Sequence, residues 1–142
     1  MLSKDKGESD TRPSRYEFPL NMWYVAALSD EISTKPLKRE LLNESIVLFR
    51  TEEGEIGALE DRCCHRELPL SLGSVEQSGL RCGYHGLLFN CSGECIEIPG
   101  QEIIPERAKV RSYFIIEKAP LVWIWFGSEY DLEPTQPPPE YD

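Results

Sequence analysis

Apolar and polar residues alternate in short runs along most of this chain, a pattern typical of β-strands. The last run, Leu121–Phe126, is apolar on both faces and predicts a central strand covered on both sides. Turn residues at 42–45 and 52–55 predict hairpins, and a single helical turn is expected near 29–32. The chain is therefore predicted to be all-β, with strands at Met22–Leu28, Lys38–Leu42, Ser45–Arg50, Glu55–Glu60, Leu80–Cys82, Leu87–Phe89, Cys95–Ile98, Lys109–Glu117 and Leu121–Phe126.

The two ends of the chain lack this pattern. Residues 1–17 are polar and are predicted to form a flexible N-terminal arm. Residues 128–142 carry five acids, no base and a cluster of four prolines, which predicts an acidic Pro-rich linker or tail. A linker in this place favours a further domain after it, and residues 18–127 are expected to form one folded domain.

Composition narrows the class of protein. With 40% hydrophobic and 28% charged residues, the 142-residue chain has the make-up of a soluble globular protein. The net charge of −10 argues against nucleic acid as a partner, because phosphate contacts need clustered Lys and Arg. No apolar stretch approaches the ~20 residues of a membrane span, and the N-terminus lacks a signal-peptide core. We therefore expect a cytoplasmic protein, in which cysteine clusters indicate metal binding rather than disulfides.

Both histidines of the chain fall in two short motifs, Cys63-Cys64-His65 and Cys82-Gly83-Tyr84-His85, with sixteen residues between them. Each motif offers one thiolate and one imidazole, whereas zinc knuckles usually pair like ligands on one loop. One ligand of each kind on each loop suits a binuclear centre, in which both cysteines bind one iron and both histidines the other. That is the ligand set of a Rieske [2Fe–2S] centre. A structural zinc site is the alternative interpretation.

The flanking residues strengthen the first interpretation. Six segments resemble Rieske domains of vanillate demethylase-type aromatic oxygenases: 21–26, 58–66, 69–73, 82–87, 97–101 and 122–125. The resemblance implies a Rieske fold, an antiparallel β-sandwich with a small cluster-binding subdomain that carries the ligands on two loops. It also implies one [2Fe–2S] cluster per chain, bound by Cys63, His65, Cys82 and His85. Glu67 and Leu87 depart from the common oxygenase pattern, where Gly and Trp often stand, and neither departure changes a ligand.

The resemblance also predicts the redox potential. Two ferric ions, two sulfides and two thiolates sum to zero charge, so reduction is easier than in an all-Cys cluster, and Rieske potentials lie between about −150 and +300 mV. High-potential Rieske proteins of cytochrome bc-type complexes resemble one another in an extra cysteine on each loop, joined by a disulfide. Leu68 and Tyr84 stand at those positions. The potential is therefore expected at the low end of the range.

Other residues near the motifs carry weaker signals. Cys64, Cys91 and Cys95 are interpreted as plain thiols, and the three tryptophans as core residues. Gly83 and Gly86 fit a close approach of the backbone to a cluster and fit ordinary turns equally well. Residues 98–101 are either a third loop that shields the cluster, as the resemblance implies, or a surface turn.

These observations limit the function. The chain has no phosphate-binding glycine motif, and with both histidines on iron none remains for a nucleophilic or mononuclear-iron site. We expect the electron-relay domain of a Rieske-type aromatic oxygenase, without a catalytic site of its own and monomeric or weakly oligomeric. Its electrons would come from a reductase or ferredoxin and pass to a mononuclear-iron oxygenase domain. The alternatives are a stand-alone low-potential Rieske ferredoxin and a structural zinc-binding module.

Overall fold

The protein is described here by a computed structural model, which covers residues 17–63, 68–129 and 132–140. The described residues contain two single-turn 3-10 helices, Ser29–Glu31 and Leu70–Leu72, and no α-helix. The predicted all-β class is confirmed. The ten strands are β1 Met22–Leu28, β2 Leu37–Leu41, β3 Glu44–Arg50, β4 Ile56–Glu60, β5 Ser74–Glu76, β6 Gly79–Arg81, β7 Leu88–Asn90, β8 Cys95–Glu97, β9 Ile115–Lys118 and β10 Leu121–Phe126.

The strands form three antiparallel sheets. The outer sheet has the order β1-β10-β9, the middle sheet β2-β3-β4, and the cluster-side sheet β5-β6-β7-β8. The middle and cluster-side sheets are each built from consecutive strands, whereas the outer sheet joins β1 to β10 from the other end of the described chain. The cluster-side sheet corresponds to the predicted small subdomain, because Cys63 precedes its first strand and Cys82 follows β6.

The middle sheet separates two apolar cores, and β3 contributes to both. Ile46 and Leu48 point to the core shared with the outer sheet, whereas Val47 and Phe49 point to the core shared with the cluster-side sheet. All four side chains are fully buried. A strand covered on both faces needs apolar residues at successive positions, which explains the Ile-Val-Leu-Phe run.

The hairpin between β2 and β3 is one of the predicted turns. Its two connecting residues, Leu42 and Asn43, have φ angles of 50° and 62°. Positive φ at both central positions is the type I′ geometry, whose twist matches that of the flanking strands. Leu42 accepts this conformation because its side chain is buried in the core with the outer sheet.

Two predictions about strands were wrong. Residues 109–117 do not form one strand, because this segment passes along all three sheets in turn. Val110 N–H donates to Gly93, Tyr113 N–H donates to Ala58, and Phe114 accepts from Trp125, so each part pairs with a different sheet. The strand β5 was missed, since its three residues carry no apolar alternation.

The C-terminal Pro-rich segment lies against the outer sheet. The indole Nε1 of Trp23, on β1, donates to the carbonyl of Gln136 at 2.7 Å. At the opposite edge of the same sheet, Lys118 Nζ donates to the carbonyl of Pro139 at 2.9 Å. Residues 136–139 therefore cross the sheet, and Pro138 within this segment is buried. No helix among the described residues is long and apolar enough to cross a membrane.

Candidate metal centre

The two cysteines at the start of the Cys-His motifs lie in one apolar core. Cys63 follows β4 and opens the first Cys-His loop (residues 61–69), and Cys82 follows β6 and opens the second (residues 82–87). Their side chains are 1% and 2% exposed. Both belong to the core that contains Leu70, Leu80 and Leu87. Two sulfur atoms are thus brought from different strands into the same dry environment.

Each loop is closed by a backbone hydrogen bond, and the two bonds join equivalent positions. The N–H of Cys63 donates to the carbonyl of Leu68, and the N–H of Cys82 donates to that of Leu87, each at 2.7 Å. In each case the acceptor stands five residues after the cysteine, so the histidine of the motif falls inside the closed turn. The similar closure is the structural counterpart of the repeated motif in the sequence.

The second loop lies against the 3-10 turn that follows the first loop. A Cβ atom on Gly83 would lie 3.2 Å from the carbonyl oxygen of Leu72, so a side chain here would need this turn to give way. A cavity of about 160 Å³ lies beside this contact, lined by Leu68, Pro69, Leu72, Gly83 and Tyr84. Residues from both loops form its walls, which makes it a space between the two motifs.

His85 lies at the exposed tip of the second loop. Its imidazole packs edge-on against the ring of Tyr84, with 4.0 Å between the ring centroids. Tyr84 and Leu72 are 54% and 76% exposed, so the imidazole lies in an apolar part of the surface. The predicted ligand His65 and its neighbours Cys64, Arg66 and Glu67 lie outside the described residues.

The first loop is anchored by a buried carboxylate. Asp61 is 8% exposed and accepts two hydrogen bonds from Ser71, one from its N–H at 2.6 Å and one from its hydroxyl at 2.7 Å. Ser71 lies in the 3-10 turn that follows the loop. The pair therefore ties the two ends of the first loop together on either side of Cys63.

The second loop is anchored by an arginine. Arg81 precedes Cys82, and its Nη1 donates to the carbonyl of Gly86 at 2.6 Å. Its Nη2 donates to Glu76 at 2.8 Å and to Glu97 at 3.0 Å. One guanidinium group thus connects β5, the second loop and β8.

Residues 98–101 form a tight turn against the second loop. Gln101 N–H donates to the carbonyl of Ile98 at 3.0 Å, and Gly100 has a φ of 83°. Proline followed by glycine with positive φ is the signature of a type II turn. The ring of Pro99 packs on Gly86, where a Cβ would lie 3.1 Å from Pro99 Cγ and where φ is 79°. Glycine is required at 86 for both reasons.

The remaining described cysteines lie apart from the loops. Burial raises the pKa of the Cys91 thiol to about 12, helped by the negative charges of Glu55 and Glu53. Burial also raises the pKa of Cys95. Both are thiols without a disulfide, as predicted, and neither is poised for reaction.

Comparison with protein families decides the identity of this arrangement. The family model of the Rieske [2Fe-2S] domain matches residues 22–113, which include both loops, the middle and cluster-side sheets and β1. This chain belongs to the Rieske domain family. Its cofactor is accordingly a Rieske-type [2Fe–2S] cluster, and the fold prediction made from the sequence is confirmed.

Relatives of the Rieske domain are oxygenase components. The chain is 55% identical over 114 residues to a putative toluene-4-sulfonate monooxygenase system iron-sulfur subunit from Comamonas testosteroni, covering 80% of this chain and 33% of that protein. It is 44% identical over 117 residues to a vanillate O-demethylase oxygenase subunit from Pseudomonas sp. strain HR199, covering 82% and 33%. A crystal structure of dicamba monooxygenase with non-heme iron and dicamba superimposes with a TM-score of 0.79 at 41% identity, covering 86% and 38%. The chain spans about a third of the length of these relatives.

The described residues fit a [2Fe–2S] cluster. Cys63 and Cys82 supply two sulfur donors from one apolar core, and a buried thiolate is favourable only when a cation compensates its charge. His85 supplies an imidazole on the solvent side of the same loops. Among the described residues, no three Cys, His, Asp or Glu side chains gather around a single point. The Rieske ligand set places two protein ligands on each iron, so a group of three such side chains around one point is not required.

Sequence reasoning missed the residues that anchor the loops. Asp61 and Ser71 stand ten positions apart, and Arg81 reaches Glu97 across an intervening strand. Neither pair of residues has a spacing that the periodicity of a helix or a strand would predict. The one available signal was the burial of Asp61 implied by its place between a strand and a Cys-His motif, since a buried carboxylate needs donors.

Proposed function

We propose that this Rieske domain transfers electrons through a [2Fe–2S] cluster bound by Cys63 and Cys82 on one iron and by His65 and His85 on the other. The domain would be the electron-relay part of an aromatic oxygenase system. Residues 18–127 would form the cluster domain, preceded by the N-terminal arm and followed by the Pro-rich segment, which packs across its outer sheet. The observation that carries the proposal is the matching closure of two loops that place buried cysteines at their bases.

The positions of the ligand candidates support a relay. When bound, the cluster accepts and returns one electron at a time. Cys63 and Cys82 would hold it from the buried side, where the core excludes water. His85 would hold it from the exposed side, where Leu72 and Tyr84 offer apolar surface to a partner protein. Electron exchange with a partner would therefore occur at the histidine edge.

We infer the partners from the names of the related proteins. The relatives named above are an iron-sulfur subunit of a monooxygenase system and an oxygenase subunit. We infer a reductase or ferredoxin as electron donor and a mononuclear-iron oxygenase domain as acceptor. We also infer a cytoplasmic location, because Cys91 and Cys95 are free thiols, as expected in a reducing compartment.

The test is the visible spectrum of the purified protein before and after dithionite, with iron, zinc and sulfide assayed on the same sample. We expect a red-brown protein that bleaches on reduction, with two irons and two sulfides per chain. A redox titration should give a potential near the low end of the Rieske range, about −150 mV. A colourless protein with one zinc and no sulfide would contradict the proposal and support the structural zinc module.

Ligand variants separate the proposed ligands from other cysteines. Cys82→Ser should abolish the cluster, because a hydroxyl does not replace the thiolate that binds iron. Cys91→Ser is the matched control, since Cys91 is a thiol that packs against the same apolar core. It should keep two irons and the spectrum of the unchanged protein. Retention of the full cluster in Cys82→Ser would remove Cys82 from the ligand set.

A further inference from the structure

The guanidinium of Arg81 occupies an unusual place in the cluster-side sheet. The register pairs Ser74, Arg81, Leu88 and Glu97 in one row across all four strands. Directly paired residues share a face of the sheet, so the side chain of Arg81 passes over Leu88 to reach Glu97, two strands away. Neighbouring strands are about 4.8 Å apart, so the span is nearly 10 Å, which the extended side chains of Arg81 and Glu97 cover together.

Arg81 donates to three acceptors. Two are the carboxylates of Glu76 and Glu97, and the third is the carbonyl of Gly86. Arg81 is only 21% exposed, whereas the carboxylates are 46% and 53% exposed. The hydrogen bond from Arg81 lowers the pKa of Glu76, so the group is ionised at neutral pH. The guanidinium is therefore held by two fixed charges and directs its remaining donors at the second loop.

We propose that Arg81 is a positioning residue for the second Cys-His loop, whose hold on the Gly86 carbonyl sets where His85 meets the cluster. The inference rests on the proposed function, because it takes His85 as a ligand. Gly86 directly follows His85, so a shift of its carbonyl moves the imidazole. Pro99 packs on the other side of Gly86, and Glu97 leads into the turn that carries Pro99. Arg81 thus fixes both the loop and the turn that covers it.

The experiment compares Arg81→Gln with Arg50→Gln in the cluster-loaded protein. Arg50 is the matched control: it is 25% exposed, pairs with Glu117 and donates to the carbonyls of Ser29 and Ile32, far from both loops. Three quantities are measured for each variant. They are the rate of cluster loss to a chelator, the electron paramagnetic resonance spectrum of the reduced protein, and hydrogen exchange in a peptide covering residues 82–88.

Arg81→Gln should lose its cluster about tenfold faster than the unchanged protein, the effect of one charge-assisted hydrogen bond. Its spectrum should shift, and exchange should rise in residues 82–88. Arg50→Gln should lower the melting temperature without changing the spectrum or the rate of cluster loss. Arg81→Lys should be intermediate, because one ammonium keeps the charge but does not match the three-way geometry.

Glu97→Gln guards against a folding failure of the arginine variants, since its side chain is half exposed. It should speed cluster loss about twofold to threefold, with Glu117→Gln as its unaffected control. If Arg81→Gln and Glu97→Gln behave like their controls, the proposal is overturned while the proposed function stands. If the unchanged protein holds no [2Fe–2S] cluster, the proposed function fails and the role of Arg81 fails with it.

Discussion

The anchor of the first Cys-His loop allows a quantitative prediction. Asp61→Ala removes both acceptors of Ser71 and leaves a partly buried N–H and hydroxyl without these partners. A hydrogen bond to a charged group contributes about 1.5–3 kcal/mol, and the two bonds share one carboxylate, so the loss should be about 3–5 kcal/mol. Ser71→Ala removes only the hydroxyl bond and should cost about 1.5–2 kcal/mol.

The double variant tests whether the two substitutions remove one shared interaction or two independent ones. Once Asp61 is absent, the hydroxyl of Ser71 has no acceptor to lose, so Ser71→Ala should then cost almost nothing. The coupling between the two substitutions is expected to be about 1.5 kcal/mol, within the range known for residues in contact. Additive costs, with Ser71→Ala equally damaging in both backgrounds, would refute the reasoning.

Thermal unfolding followed by near-ultraviolet circular dichroism at one scan rate is the assay. For a chain of this size, 1 kcal/mol corresponds to roughly 3–4 °C in melting temperature, so a loss of about 3–5 kcal/mol in Asp61→Ala should lower it by roughly 9–20 °C. Asn90→Ala is the control, because its side chain also accepts two backbone N–H groups but in the exposed β7–β8 turn. It should cost about 1 kcal/mol and leave the iron content unchanged.

Three further predictions concern other parts of the fold. Gly73→Ala should destabilise the protein by about 3 kcal/mol in urea unfolding, because the added Cβ would overlap the carbonyl oxygen of Arg81 and push the first loop away from β6. A variant as stable as the wild type would contradict this. The hydrogen bond from Arg50 lowers the pKa of Glu117, so its stabilisation is present above the unfolded value of 4.5 and is lost as pH falls through the lower folded value. The difference in melting temperature between wild type and Glu117→Gln should therefore be constant at neutral pH and vanish in acid, and a difference that grows in acid would reverse the sign. Cys91, whose pKa is raised to about 12, should resist iodoacetamide at pH 8 in the native protein and react in urea, as read by peptide mass spectrometry.

The sequence predicted the parts of the fold that have a local pattern. Strands with apolar alternation or continuous apolar runs, such as β3 and β10, were located to within a residue or two. The segment 109–117 has the composition of a strand, but its backbone groups are divided among three sheets, and no local pattern reports that division. The missed strand β5 is paired only because β6 lies beside it.

The site divides in the same way. Cys63, Cys82 and His85 were singled out as proposed ligands because the chemistry of their side chains and their spacing are local features. Arg81 was not singled out, since its acceptors become neighbours only through strand register. Proposed ligands are thus visible in this sequence, whereas the residue proposed to position one of them is not.

The two loops share their closure but differ in their anchors, and the difference follows from where each loop leaves its sheet. The first loop starts between two cores, where a short, buried hydrogen-bonded pair is the anchor that fits, and Asp61 is 8% exposed. The second loop starts at the end of β6, an inner strand of the cluster-side sheet, and Arg81 reaches from there to two half-exposed carboxylates. Ion pairs at the surface are screened by salt, whereas buried hydrogen bonds are not. The Arg81 anchor of the loop that presents His85 to solvent should therefore weaken as salt is added, whereas the Asp61–Ser71 anchor should not.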